Sequence, residues 1–217
     1  MAVTETHAAL MDDVYRWQRH VYDLTRKYYL LGRDRMIDRL DARAGATVLE
    51  LGCGTGRNLA LAARRHPRAE FFGLDISAQM LETAQASLAR SGLGGKVRLA
   101  QADATDFEPQ ALFGRDGFDR VYISYSLSMI PDWRGCVRQA MAVLAPGGSL
   151  HIVDFGRQER LPGWFKAVLR AWLARFHVAR RDDLRDVLES ISRETGASLE
   201  YESLFRGYAV HAILRGR

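Results

Sequence analysis

From Thr47 onward, short apolar runs alternate with longer stretches of helical periodicity, a pattern that restricts the chain to a largely parallel sheet flanked by helices. Strands are expected at 47–51, 70–75, 96–101, 118–124 and 149–155, with helices at about 57–66, 77–91 and 132–144. Two more strands, 199–205 and 208–214, have only Arg206 and Gly207 between them. So short a link joins only antiparallel neighbours, because a parallel return needs a crossover of about a dozen residues or more. The expected architecture is α/β, a sheet of seven strands whose last hairpin is antiparallel.

At 217 residues the chain has room for one such domain and a short appendage. Its 31 Lys and Arg exceed its 26 Asp and Glu, a net charge of +5. That excess suits an anionic partner without naming it: membrane surface, nucleic acid and acidic metabolite all fit. Only Cys53 and Cys136 are present, which excludes a disulfide framework and suits a reducing compartment. No apolar run reaches the roughly 20 residues that span a bilayer. The opening MAVTETHAALMDD has acids and no basic segment leading into an apolar one, so no signal peptide is expected. The expectation is a cytoplasmic protein.

The stretch VLELGCGTGRN leaves a buried strand, turns on Gly52, Gly54 and Gly56, and enters a helix. Glycines there let the backbone approach a ligand. The dinucleotide fingerprint G-x-G-x-x-G fails in either register, because Arg57 or Leu59 stands where its third glycine belongs. A P-loop fails too, for no Gly-Lys-Ser/Thr follows. What remains is Glu50 ahead of three alternating glycines, E-x-G-x-G-x-G. Asp75 then closes the second strand, 25 residues beyond Glu50, where such a unit offers a carboxylate to a ribose hydroxyl pair. Asp103 closes the third. Either Asp alone is more often a cap or turn residue; in this order, at the carboxyl edge of one sheet, they outline a nucleoside site.

With the glycine loop, Asp75, Asp103-Ala104, FDRVYISYSLSMIPDW and LAPGGSLHIVDF, the chain resembles the class I S-adenosylmethionine-dependent methyltransferases over about 45–217. The resemblance implies a Rossmann-like seven-stranded methyltransferase sheet over 41–217, preceded by an N-terminal helical lid over 1–40. It implies S-adenosylmethionine as cofactor, with the backbone at Gly52 and Gly54 facing the methionine part, Asp75 on the ribose, and Gly56, Asn58 and Ser124 also among the cofactor-binding residues. Ile76 and Met80 would flank the adenine, and Asp103 and Ala104 would hold its amino edge. Tyr22 and Arg33 would come from the lid. The six histidines are scattered without ligand spacing, so no metal is expected.

The fourth strand narrows the acceptor. Enzymes of this class acting on planar amino groups carry Asn/Asp-Pro-Pro-Tyr/Phe there, whereas this chain reads Ser124-Tyr125-Ser126-Leu127. With no recognisable nucleic-acid module either, nucleic acid is not the expected partner, and the basic charge is better assigned to an anionic membrane surface or small molecule. THAALMDDVYRWQRHVYDLTRKYYLLGRDRMI, RFHVARRDDLRDVLE and RGYAVHAIL further resemble the bacterial betaine-lipid N-methyltransferases, which trimethylate diacylglyceryl-homoserine. A quinone, another small molecule or a phospholipid headgroup is the alternative acceptor. A growing cationic amine favours aromatic faces, which makes Tyr22, Tyr28, Tyr29 and Tyr125 candidates for a cage, with Tyr22, Tyr29 and Tyr125 as catalytic candidates. The substrate carboxylate would meet Arg26, Lys27, Arg33 or Arg35; an Arg suits it best, in a two-bond fork. Packing of Tyr28 or Tyr29 on the sheet is the simpler reading of either. Residues 161–181 place Phe165, Leu169, Trp172 and Phe176 at helical spacing among Lys166, Arg170, Arg175, Arg180 and Arg181. That pattern serves a core-facing helix or one lying at an anionic interface, with Trp164 and Trp172 toward lipid.

Overall fold

The computed structural model describes residues 30–174 and 180–216 of the chain. The strands β1 (Thr47–Leu51), β2 (Glu70–Asp75), β3 (Val97–Gln101), β4 (Phe118–Ser124), β5 (Leu144–Phe155), β6 (Ser198–Leu204) and β7 (Ala209–Arg215) form one seven-stranded sheet in the order β3-β2-β1-β4-β5-β7-β6. The first five run parallel, and β7 lies antiparallel between β5 and β6. Every residue of the interior strand β1 is buried, Thr47 and Glu50 included, as in a strand covered on both faces. The antiparallel C-terminal hairpin is as expected from its short link.

Helices cover both faces. They are α1 (Arg33–Asp38), α2 (Arg57–Arg65), α3 (Ala78–Arg90), α4 (Pro109–Phe113), α5 (Trp133–Ala142), α6 (Gly163–Ala174) and α7 (Leu184–Thr195). Strand alternation sends Leu49, Leu51, Val121 and Ile123 to one face, where Trp133 and Val137 of α5 and Leu188 of α7 meet them. Val48 and Tyr122 point to the other, against Met36 of α1, Leu59 of α2 and Leu88 of α3. Helix starts follow local chemistry: Ser77 Oγ accepts from the Met80 amide to cap α3, and Asp132 accepts from the Gly135 amide to cap α5.

Three features depart from the expected outline. Strand β5 begins at Leu144, five residues early: Leu144 pairs with Phe118, and the ladder resumes only at Ser149 opposite Arg120, so the intervening residues bulge out of register. Between β6 and β7 the chain makes a one-turn 3₁₀ segment, Phe205–Gly207, in which Phe205, Arg206 and Gly207 all have positive φ. Lastly, residues 30–40 are not a separable appendage. Met36, Ile37 and Leu40 are fully buried, and α1 is tied by Arg35 and Arg39 to Glu202 and Glu200 on β6. Residues 1–29 of the expected lid, with Tyr22, Arg26, Lys27, Tyr28 and Tyr29, lie outside the described residues.

Candidate active site

The glycine loop follows β1 at the carboxyl edge of the sheet. Gly52, Gly54 and Gly56 have φ of 68°, 53° and 73°, the left-handed conformation that glycine adopts without steric cost. A Cβ on Gly52 would stand 2.6 Å from the Cβ of Ser126, so only glycine lets the loop pass this close to the turn after β4. Gly56 serves the fold instead. Its missing Cβ faces Ala84 of α3 at 3.1 Å, so it packs two helices together rather than lining the site. Asp75 braces the loop. Its Oδ2 accepts from the Gly54 amide at 2.8 Å and its Oδ1 from the Ser77 amide at 3.0 Å. The Gly54 N–H is thus engaged within the protein, and its contribution to a ligand is shape rather than a hydrogen bond.

Beneath the loop opens a cleft of about 440 Å³, lined among others by Arg33, Glu50, Gly52, Gly54, Asn58 and Ser124. Glu50 is the buried centre of this group. The Asn58 amide donates to its Oε1 at 2.9 Å and the Tyr122 hydroxyl to its Oε2 at 3.0 Å. Burial pushes its carboxyl up from 4.5 to about 8, while the hydrogen bonds from Asn58 and Tyr122 and the charge of Arg33 pull the other way. Arg33 is itself buried and donates from Nε to the Leu30 carbonyl at 3.0 Å. Two buried atoms of cleft-lining residues, Asn58 Oδ1 and Ser124 Oγ, have no hydrogen-bond partner among the described residues.

The other expected residues fall at different distances from this cleft. Ile76 follows Asp75 and is half-buried, and Met80 is buried in the first turn of α3. Asp103 turns its Oδ1 onto the amide and hydroxyl of Thr105, the turn role that a lone Asp after a strand usually has, and Ala104 is buried behind it. Tyr125 is 2 % exposed, with its hydroxyl donating to the Leu31 carbonyl and its ring edge-on to Phe155. It anchors the entry to α1 rather than presenting a free hydroxyl. Its φ of 56° is strained for a bulky residue, and such outliers concentrate beside functional sites. Arg35 is a correction: it pairs with Glu202 at 2.7 Å, so of the described candidate cations Arg33 alone lines the cleft.

Tyr122 escaped the sequence reading. It is separated from Glu50 by 72 residues and meets it because β1 and β4 pair in the register Glu50↔Tyr122. Glu50 sets a pH dependence that can be measured. A carboxyl held near 8 in the folded state and near 4.5 when unfolded keeps its proton only in the native protein, so stability falls as pH rises from about 4.5 to 8. Glu50→Gln removes this term. Denaturant titrations at pH 5 and pH 8 are expected to show the variant gaining on the wild type at the higher pH, by at most about 4 kcal/mol; a pH-independent difference would mean that Glu50 is ionised in the fold.

Comparison with known proteins places this geometry. Residues 48–148 match the family described as Methyltransferase domain. Over 121 residues the chain is 35 % identical to the methyltransferase GfsG of Streptomyces halstedii, covering 56 % of this chain and 42 % of that protein. Over 163 residues it is 28 % identical to the demethylmenaquinone methyltransferase of Desulfitobacterium hafniense, covering 72 % and 62 %. The chain thus spans less than two thirds of the length of either relative. Its fold matches the plantazolicin methyltransferase BpumL with a TM-score of 0.71 at 13 % identity, over 100 % of this chain and 98 % of that one. The order of the seven strands is that of the class I methyltransferase fold. Specifically, the chain carries a class I S-adenosylmethionine-dependent methyltransferase domain.

The residues present fit that cofactor. An amino-acid end brings an ammonium and a carboxylate together, and the cleft offers the acceptors Glu50 and Asn58 Oδ1 beside the Arg33 guanidinium.

Proposed function

We propose that the protein methylates the amine of diacylglyceryl-homoserine in successive steps, with S-adenosylmethionine as donor. The observation that carries the donor half is the buried Glu50–Asn58–Ser124 cluster with Arg33 under the Gly52 turn. When bound, S-adenosylmethionine supplies an electrophilic methyl: its S–C bond breaks as the acceptor lone pair forms the new C–N bond, and the sulfur keeps the electron pair. The protein's part is placement. Gly52 allows close approach, Asp75 holds the loop and would accept from the ribose hydroxyls, and Arg33 would anchor the carboxylate end. Ile76, Met80, Asp103 and Ala104 would complete the adenine side. An ammonium acceptor must shed one proton before each of its transfers, and Tyr22 and Tyr29 are the candidate relays and cage residues.

The lipid acceptor is supported by the resemblance of the N-terminal stretch, of RFHVARRDDLRDVLE and of RGYAVHAIL to betaine-lipid enzymes. Among the described residues no helix is long and apolar enough to cross a membrane. A quinone ring is the second reading, favoured by the match to demethylmenaquinone methyltransferases across 72 % of the chain. Incubating the purified chain with S-adenosylmethionine and each acceptor in detergent micelles separates the two. Mono-, di- and trimethylated homoserine lipid in the mass spectrum is the expected result; methylation of the quinone alone overturns it.

The N-terminal segment is the second test. Deletion of residues 1–29 keeps every buried core residue among the described ones, Leu30, Met36 and Ile37 included, and is expected to leave a folded domain while methyl transfer falls about tenfold or more through lost positioning. Arg33→Lys in the full chain keeps the charge but loses the planar fork, and is expected to weaken cofactor binding. Full turnover by a folded truncation would return Tyr22, Tyr28 and Tyr29 to a packing role.

A further inference from the structure

In the described part of helix α6, apolar side chains stand both inward and outward. Leu169 is buried and Phe165 half-buried, and together with Leu161 they pack on the core that holds Tyr125, Phe155 and Tyr208. The core reading of this helix is therefore right for Phe165 and Leu169. Trp164 and Val168, one helical turn apart, face outward at 72 % and 63 % exposure. The remaining exposed large hydrophobic among the described residues is Phe205, at 50 %, and it comes from a different element, the β6–β7 turn.

The two elements are joined. The Arg160 amide donates to the Arg206 carbonyl at 3.3 Å and the Gln158 amide to the Gly207 carbonyl at 2.8 Å, so the segment leading into α6 runs along the turn that carries Phe205. That turn holds Phe205 and Arg206 at φ of 51° and 61°. A left-handed aromatic is costly and is found where surrounding structure imposes it for a purpose. The Phe205 ring also lies against Gly32, whose added Cβ would be 3.7 Å from its Cε2, and Gly32 precedes the cleft-lining Arg33. Exposed Arg160 and Arg206 and half-exposed Lys166 flank these apolar groups, with Glu159 the neighbouring acid.

We infer that Trp164, Val168 and Phe205, rimmed by Arg160, Lys166 and Arg206, form a docking surface for an anionic bilayer beside the mouth of the cofactor cleft. Apolar side chains flanked by cations are the composition of an interfacial membrane contact, in which the rings and Val168 enter the acyl boundary while the cations meet lipid phosphates. A protein partner would not require the cationic rim, whereas an anionic lipid surface matches it. The inference rests on the reading that the acceptor is a membrane lipid, and it holds for a homoserine lipid or a membrane quinone alike. It assigns the contact to residues on two elements, not to the periodic stripe of α6, whose Phe165 and Leu169 face inward.

Flotation of the full chain with phosphatidylglycerol–phosphatidylcholine vesicles tests it. The wild type is expected to float with these vesicles, and to be released by high salt or by omitting phosphatidylglycerol. The triple variant Trp164→Gln, Val168→Gln, Phe205→Asn is expected to lose about tenfold or more of that partitioning. Glutamine retains helix propensity and asparagine tolerates positive φ, so its thermal midpoint and its calorimetric affinity for S-adenosylmethionine should match the wild type. The pair Arg160→Glu, Arg206→Glu should lose partitioning as well, independently of the apolar changes. Wild-type protein that stays at the bottom of the gradient, or a triple variant that floats as the wild type does, overturns the proposal. So does sedimentation velocity showing a wild-type dimer that the triple variant dissolves, since the surface would then join two copies of this chain. Methyl transfer in detergent micelles reads the acceptor separately: a chain that floats but leaves the homoserine lipid unmethylated keeps the docking surface and loses the acceptor assignment.

Discussion

Gly52→Val is expected to lower S-adenosylmethionine affinity by about a hundredfold or more, equivalent to roughly 3 kcal/mol. Two independent effects add at this position. A β-branched residue is strained at φ of 68°, and its Cβ would meet Ser126 Cβ at 2.6 Å and Oγ at 2.9 Å. Ser126 cannot easily yield, because its hydroxyl donates to the Leu51 carbonyl at 3.1 Å. The loop must therefore move away from the turn after β4, opening the cleft between Gly52 and Ser124. Gly45→Ala separates the two effects: its φ is 79°, yet nothing stands within 4 Å of the added Cβ. That variant should lose about 1–2 kcal/mol of stability through backbone strain alone, with cofactor affinity unchanged. Isothermal calorimetry on folded Gly52→Val decides the matter, and wild-type affinity would remove the glycine loop from the cofactor site.

Asp75→Ala should act through the protein and through the ligand together. Its carboxylate holds the amides of Gly54 and Ser77, and each bond to a charged acceptor is worth about 1.5–3 kcal/mol. Loss of both frees the loop whose shape makes the cleft and loosens the start of α3, so the stability cost is expected to be about 2–4 kcal/mol. Cofactor affinity should fall about tenfold to a hundredfold, because the proposed ribose acceptor and the braced loop are removed at once. Asp75→Asn should rescue little. Its amide oxygen can accept from one of the two N–H groups, but its NH₂ then confronts the other, donor against donor. A folded Asp75→Ala variant with undiminished affinity would leave Asp75 as a loop brace only.

Much of this was legible in the chain because it is local chemistry. Alternating glycines after an apolar strand announce a close backbone turn, and all three glycines do adopt positive φ. The strand–helix alternation and the two-residue link at Arg206-Gly207 led to the parallel sheet with its antiparallel end. Local chemistry could not distinguish Gly56 from its neighbours, since the Ala84 that it accommodates belongs to another helix. Nor could it separate Arg33 from Arg35. The two cations are two residues apart on one short helix, and only the approach of β6 with Glu202 takes Arg35 out of consideration.

Periodicity and spacing depend on a residue's immediate neighbours, and for that reason the strands, most of the helices, the glycine turn and Asp75 could be read in order along the chain. Pairing depends on which strands become adjacent. The meeting of Glu50 with Tyr122, the insertion of β7 between β5 and β6, and the bond from Tyr125 to the Leu31 carbonyl all cross long sequence separations, so they exist only once the sheet has assembled. Burial follows the same division. The apolar stripe of α6 was visible as a stripe, but the packing of neighbouring elements turned Phe165 and Leu169 inward and left Trp164, Val168 and the distant Phe205 on the surface. Side-chain exposure is a property of the assembled layers and of no segment alone.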